Sequence, residues 1–329
     1  MAERIYGLLG RRLGHSWSVP IHTALGCGGY RLIELEPESL APFLRREDIG
    51  ALNVTIPYKR DVIPLCDVVD EAAASIGSVN TIVRRPDGRL YGYNTDIDGF
   101  LYMAGRAGTR FAGKKAVILG SGGASLTAQA ALRQEGAREI AVISRSGPDN
   151  YETLSRHADA DLIINTTPVG MYPGNGAAPA DLTAFPRCSG VLDVIYNPRR
   201  TALLLQAQAL GIPCSDGLPM LVAQAVKAEE HFFDRPIPLS EHERILSQLR
   251  RETTNLVLIG MPGCGKTAVG MALAERPLTL TPKWNLAPAA PFPNSLPGAA
   301  RPHSAPWSER PLLRPESSPA ASSSPAAVL

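Results

Sequence analysis

The sequence predicts an α/β fold: an N-terminal α/β unit, then a Rossmann-like unit on a parallel sheet, then a disordered C-terminal tail. Three observations carry this. Short apolar runs alternate with helical patterns from residue 4 to about residue 235, the rhythm of βαβ units. One run, Ala116-Val117-Ile118-Leu119, is too short for an amphipathic helix. It breaks into Gly120-Ser121-Gly122-Gly123, and a helix-favouring stretch follows at 126–133. Composition then shifts after Arg276. Residues 277–329 hold 12 prolines in 53 positions, with Ala and Ser the commonest of the rest. Such a segment buries too little apolar surface to offset its ordering entropy, so it is expected to be disordered.

In chain order, 4–9 reads as a strand. A helix over 19–25 follows Ser18-Val19-Pro20, which offers a cap and an early proline. A second strand is expected at 31–35. A helix over 37–46 puts Leu40, Phe43 and Leu44 on one face. A third strand spans 51–54. Residues 81–85 and 89–93 flank Pro86-Asp87-Gly88, a hairpin signal. A helix over 97–106 leads into the second unit. There, strands are expected at 115–119, 139–143, 161–164 and 190–194, and helices at 124–135, around 150–156 and at 200–210. Gly211 sits where a helix stop belongs. A long amphipathic helix over 218–233 is expected to pack back on the first unit, and a charged helix over 240–251 to act as a linker.

The formal net charge is +2, from 33 basic and 31 acidic residues, which argues against a nucleic-acid binder with its clustered basic excess. The N-terminal stretch has no long apolar core or cleavage site, and no run approaches ~18 apolar residues. No membrane association is therefore expected. The five cysteines are odd in number, widely spaced and free of CxxC pairs. That suits reduced thiols in a cytoplasm and no metal site.

The glycine stretch forms a cradle for a phosphate anion. Glycines let the backbone approach a pyrophosphate, and a helix N-terminus supplies free N–H groups. Its pattern, Gly-x-Gly-Gly-Ala-Ser, puts Ser125 where the usual fingerprint has a third glycine, so a plain strand-to-helix turn stands as the alternative. The strand at 139–143 ends in Ser144-Arg145-Ser146, about where an acidic residue would hold the ribose 2′-hydroxyl of NAD. An arginine there pairs with a phosphate instead, which favours NADP; a solvated strand-end arginine is the alternative. Two polar stretches stand out in the first unit. Asn53-Val54-Thr55-Ile56-Pro57-Tyr58-Lys59 ends a strand, and Tyr93-Asn94-Thr95-Asp96 joins the hairpin to a helix. On residue type alone Lys59 also reads as a solvated charge and Asp96 as a helix cap.

Nine segments together resemble the shikimate dehydrogenase family: GRRLGHSWSVPIH (10–22), NVTIPYK (53–59), GSVNT (77–81), YNTD (93–96), GSGGA (120–124), SRS (144–146), NTTPVGM (165–171), DVIYNP (193–198) and DGLPMLVAQA (216–225). The resemblance implies an N-terminal shikimate-binding catalytic domain over 1–106, with the helix at 217–235 packed on it, and a Rossmann-like NADP domain over 107–235. A helical linker would follow at 236–252. The implied reaction is reversible reduction of 3-dehydroshikimate by NADPH. By resemblance, Lys59 and Asp96 are the catalytic pair. Ser16 and Ser18 bind the substrate carboxylate, and alternate residues of an extended segment would share a face for that task. Thr55, Asn80 and Gln224 match ligands of the ring hydroxyls, and Tyr196 a substrate-side phenol. Gly120, Ser121, Gly122, Gly123 and Ala124 line the pyrophosphate, and Ser144, Arg145 and Ser146 take the adenosine phosphate. Val194 and Gly217 meet the nicotinamide end. Glu71 falls at a position near the cofactor. The partners implied are the small-molecule substrate and NADP, acting on a monomer or homodimer. A quinate/shikimate dehydrogenase using NAD is the alternative, and the Ser-x-Ser pair and Arg145 weigh against it. A binding protein that merely keeps the fold is disfavoured by the presence of both Lys59 and Asp96.

A second phosphate motif follows. Residues 256–259 read as an apolar strand, and Gly260 to Thr267 is a full Gly-x4-Gly-Lys-Thr P-loop with Gly265, Lys266 and Thr267 at its close. The wording resembles the start of shikimate kinase. The fragment, 253–276, runs straight into the Pro/Ala/Ser tail, so it reads as a vestigial piece of a truncated or frameshifted fusion without kinase activity.

Overall fold

The computed structural model describes residues 4–14, 16–254, 258–261 and 263–275. The tail expected at 277–329 lies outside them. The chain divides at Arg250: the described residues up to it form one compact unit, and those beyond it belong to a second.

The larger unit opens with β1 (Ile5–Gly10), α1 (Ser18–Ala24), β2 (Arg31–Glu34), α2 (Pro37–Leu44) and β3 (Ile49–Val54). After a 3₁₀ turn at Ile63–Leu65 come β4 (Val68–Val69), α3 (Glu71–Ile76), β5 (Thr81–Arg84), β6 (Leu90–Tyr93) and α4 (Asp96–Arg106). The six strands form one mixed sheet in the order β2-β1-β3-β5-β6-β4. β3 is buried along its whole length, as its near-continuous apolar run requires of a central strand. Gly88 takes the left-handed conformation (φ +79°) that the Asp-Gly turn between β5 and β6 demands.

The second sheet comprises β7 (Lys115–Leu119), β8 (Glu139–Ile143), β9 (Leu162–Asn165), β10 (Gly190–Asp193) and β11 (Cys214–Ser215), with α5 (Gly123–Gln134) after β7 and α6 (Ala202–Ala209) after β10. All five strands are parallel in the order β11-β10-β9-β7-β8. The order reverses at β7, which puts the glycine loop at a topological switch point, where α/β sheets bind ligands. α7 (Leu218–Phe233) follows, with eleven buried residues, and packs along α4 between the two sheets. No helix among the described residues is long and apolar enough to cross a membrane.

Several elements depart from expectation. The helix expected around 150–156 is a turn followed by a 3₁₀ segment at Leu154–His157. The Asn150 side chain accepts from the Glu152 and Thr153 amides, and this local bonding competes with a helix. β4 and α3 form where no element is expected. The charged helix is α8 (Leu239–Glu252), and it is no free linker. Ile245, Leu246 and Leu249 are buried in one cluster with Ile21 of α1, Leu25 just after it, and Leu221, Val222 and Val226 of α7.

Candidate active site

Lys59 and Asp96 reach one point from opposite sides. Beyond β3 the chain is anchored by Tyr58, which is fully buried and donates its hydroxyl to the Leu35 carbonyl at 2.5 Å. The Lys59 carbonyl accepts from the Val79 amide at 2.8 Å, which fixes the backbone from which the lysine projects. At the start of α4 the capping is done by Asn94. Its Oδ1 accepts from the Asp96 amide at 3.1 Å, and its Nδ2 donates to the Ser78 carbonyl at 2.8 Å. The Asp96 carboxylate is thereby spared the capping role and takes the Lys59 ammonium at 2.7 Å. The side chains are only 20 % and 9 % exposed, so water screens the pair weakly.

A small pocket opens beside this pair. Its walls include Ser18 from α1, Thr55, Asn80, and Gln224 from α7, with Asn53 and the apolar Leu8 and Leu221. Asn80 is a junction. Its Oδ1 accepts from the Thr95 amide at 2.8 Å and from the Thr81 hydroxyl at 3.0 Å, while Nδ2 donates to Thr95 Oγ1 at 3.1 Å. Asn53 Oδ1 accepts from the Tyr30 hydroxyl at 2.7 Å. Leu221 and the Thr81–Thr95 part of the network escaped the sequence reading. The segments that meet here are far apart in sequence, and no spacing signals the meeting.

Ser16 and Ser18 lie together, but not on an extended strand. Trp17 between them is helical, and Ser18 opens α1. The Ser16 hydroxyl accepts from the Ser18 amide at 3.1 Å and bonds Ser18 Oγ at 3.0 Å. A turn that caps the helix, rather than strand alternation, brings the hydroxyls to one place. Tyr196 is not among the residues lining the pocket. Its ring is buried with Ile21, Leu218 and Leu249, and burial pushes its phenol up to about 12. Glu71 is exposed at the start of α3.

The second sheet supplies a phosphate cradle. Gly120 has φ +107°, and a Cβ there would stand 2.8 Å from Thr166 Oγ1. Around Gly122 and Gly123 a Cβ would meet nothing, so the backbone before α5 faces open space. The helix N-terminus has no side-chain cap, which leaves its first N–H groups for a ligand. Ser121 is exposed, and Ala124 is partly buried against the core beneath α5. Beyond β8, Arg145 and Ser146 are exposed and Ser144 is half-buried. Among the described residues no carboxylate engages Arg145. The residues present therefore fit a dinucleotide bearing an extra phosphate.

Val194 and Gly217 are two halves of one contact. A Cβ on Gly217 would lie 2.0 Å from the Val194 carbonyl oxygen, so only glycine permits this approach. Beneath them Asp193, unremarked in the sequence, is fully buried. It accepts from Thr201 Oγ1 at 2.7 Å, the Ile195 amide at 3.0 Å and Asn165 Nδ2 at 3.0 Å. Burial raises its pKa to about 6 against those bonds.

In the smaller unit, Gly263 and Gly265 have left-handed φ, and Lys266 opens α9 (Lys266–Glu275). The Lys266 ammonium donates to the Gly260 and Met261 carbonyls at 2.8 and 2.7 Å, and Thr267 is exposed. Residues 258 and 259 form no strand; 256 and 257 lie outside the described residues. The described residues contain no group of His, Cys, Asp and Glu able to hold a metal.

Residues 8–82 match the family model described as the shikimate dehydrogenase substrate binding domain. The NADP(+)-dependent shikimate dehydrogenase of Clostridium beijerinckii is 37% identical over 245 residues, covering 68% of this chain and 90% of that protein. Among solved structures, a chorismate mutase/shikimate 5-dehydrogenase fusion from Clostridium acetobutylicum superposes with a TM-score of 0.73 at 34% identity, over 78% of this chain and 100% of that one. The shikimate 5-dehydrogenase of Thermus thermophilus, in complex with NADP(H) and shikimate, gives 0.65 at 30% identity, over 74% and 99%.

Proposed function

We infer the chemistry of this pocket from one premise: the chain belongs to the shikimate dehydrogenase family. The protein is an NADP-dependent oxidoreductase that reversibly reduces the ketone of 3-dehydroshikimate to the alcohol of shikimate. NADPH, when bound, supplies the hydride.

The residues carry the rest. Reduction of a ketone leaves negative charge on its oxygen, and that charge must be stabilised and protonated as it develops. The Lys59 ammonium is the general acid; in the oxidation direction the neutral amine is the base. Asp96 orients the amine through its 2.7 Å bond and receives the neighbouring substrate hydroxyl. Ser16 and Ser18 hold the substrate carboxylate with paired hydroxyls. Thr55, Asn80 and Gln224 bind the ring hydroxyls, and Tyr196 supports that side from within the apolar cluster. The glycine loop, 120–124, seats the pyrophosphate at the uncapped start of α5. Ser144, Arg145 and Ser146 take the 2′-phosphate. Val194 and Gly217 shape the nicotinamide end.

The observation that carries this reading is the Lys59–Asp96 pair at the wall of the pocket that Ser18, Thr55, Asn80 and Gln224 also line. In an assay of NADP⁺ reduction by shikimate, Lys59→Met should lower kcat by about a thousandfold or more, the scale of a lost acid–base group. Shikimate binding, measured by calorimetry, should stay within about threefold. A variant retaining most of its kcat refutes the role. Five free cysteines support a reducing, cytoplasmic setting.

A further inference from the structure

We propose that the buried His22–Glu229 pair is a positioning device for the substrate-carboxylate site, fixing how α1 presents Ser16 and Ser18 to the pocket wall on α7. The proposal rests on the functional reading above.

His22 and Glu229 have side chains 1% and 0% exposed, and Nδ1 lies 2.6 Å from Oε1. His22 belongs to α1, one turn after Ser18 and so on the same face. Glu229 belongs to α7, five residues beyond Gln224. The pair thus ties together two helices that both contribute walls to the pocket, α1 through Ser18 and α7 through Leu221 and Gln224. The rest of the α1–α7 contact is apolar: Ile21 and Leu25 against Leu221, Val222 and Val226. Apolar contact has no preferred direction, so it leaves a seven-residue helix free to rotate a few degrees about its axis. A short hydrogen bond is directional and removes that freedom.

Stability gives a poor account of the pair. Burying two polar side chains costs desolvation, and a well-packed apolar pair commonly serves a fold as well or better. A second route leads from the same imidazole to the pocket. The His22 ring stacks on Tyr30 with centroids 4.0 Å apart and planes 7° from parallel. Tyr30 in turn donates to Asn53, which lines the pocket. His22 therefore backs two walls, one through its helix and one through its stacked neighbour.

The full chain is compared with its variants by steady-state kinetics of shikimate oxidation by NADP⁺. His22→Phe/Glu229→Met keeps the stacked ring and the buried volume and removes the directional bond. Its KM for shikimate should rise about tenfold, the effect of one lost hydrogen bond's worth of positioning. Its KM for NADP⁺ and its kcat should stay within about twofold. Glu229→Gln retains a partner for Nδ1 and should rescue the shikimate KM to within about threefold of the parent. Adding Ser18→Ala should cost less in the double variant than in the parent, because both changes damage one site. An unchanged shikimate KM in the double variant overturns the proposal. So does a parallel loss of both KM values and kcat, or failure of the double variant to fold, since the pair would then be holding the fold. A parent chain inactive with shikimate would overturn the functional reading itself and this proposal with it.

Discussion

At the end of β8 the Arg145 guanidinium is exposed and free of carboxylate partners among the described residues, and its value lies in what it leaves available. A guanidinium already tied to a carboxylate has little to give a phosphate; a free one pairs with it through two parallel bonds. Arg145→Asp should raise the KM for NADP⁺ at least about tenfold, as loss of a charge-assisted bond and gain of a repulsive charge require. The KM for NAD⁺ should fall or hold. An unchanged NADP⁺ KM would remove Arg145 from the cofactor site. Residue type alone left Lys59 readable as a solvated charge, Asp96 as a helix cap and Arg145 as a solvated strand-end cation; the resemblance carried by nine segments marked them as site residues. Asp193 was not so marked. Its meaning depends on Asn165 and Thr201 converging on it from two other segments, and nothing in its own neighbourhood announces that. The Ser16–Ser18 pair was read correctly as two adjacent hydroxyls, with the wrong backbone beneath them. Alternation in a strand and a capping turn both put residues two apart on one side.

Elements were legible where one periodicity dominated. β3, β7 and the β5–β6 hairpin announce themselves by short apolar runs and an Asp-Gly turn. Residues 150–156 have helical composition, but Asn150 captures two backbone amides first. α8 was misread for a different reason. Its overall charge hides a narrow stripe, Ile245, Leu246 and Leu249, and a stripe is enough to bury one face. That stripe makes α8 part of the larger unit, and two truncations test it. A chain ending after Thr254 keeps α8 and should match the full chain in kcat/KM for shikimate and in melting temperature. A chain ending after Asp234 uncovers the apolar faces of α1 and α7 and loses the burial of three large side chains. At roughly 1.5–3 kcal/mol each, its melting temperature should drop by about 10 °C or more. Equal melting temperatures for the two truncations would return α8 to the role of a linker.

At the scale of the whole molecule, two sheets are joined through α4 and α7, and those helices also deliver Asp96 and Gln224 to the pocket. The geometry of the second sheet's ligand-binding edge rests on Asp193, whose carboxylate gathers β9, β10 and the start of α6. Burial raises that carboxyl from 3.8 to about 6. In the unfolded chain the group gives up its proton near the ordinary value; in the native chain it holds the proton until about 6. Between those values the native state binds more protons, so the free energy of unfolding falls as pH rises through the window. The cost is complete above about pH 6, and it reaches about 3 kcal/mol, taking 1.36 kcal/mol per unit of displacement. Asp193→Asn keeps the geometry: its amide oxygen accepts from Ile195 and Asn165, and its nitrogen donates to the Thr201 hydroxyl. It has no proton to lose. Denaturant unfolding of parent and variant across about pH 4 to 7 should therefore give curves that diverge, the variant gaining relative to the parent as pH rises. Parallel curves would mean that Asp193 is not the group that sets this part of the molecule's pH dependence.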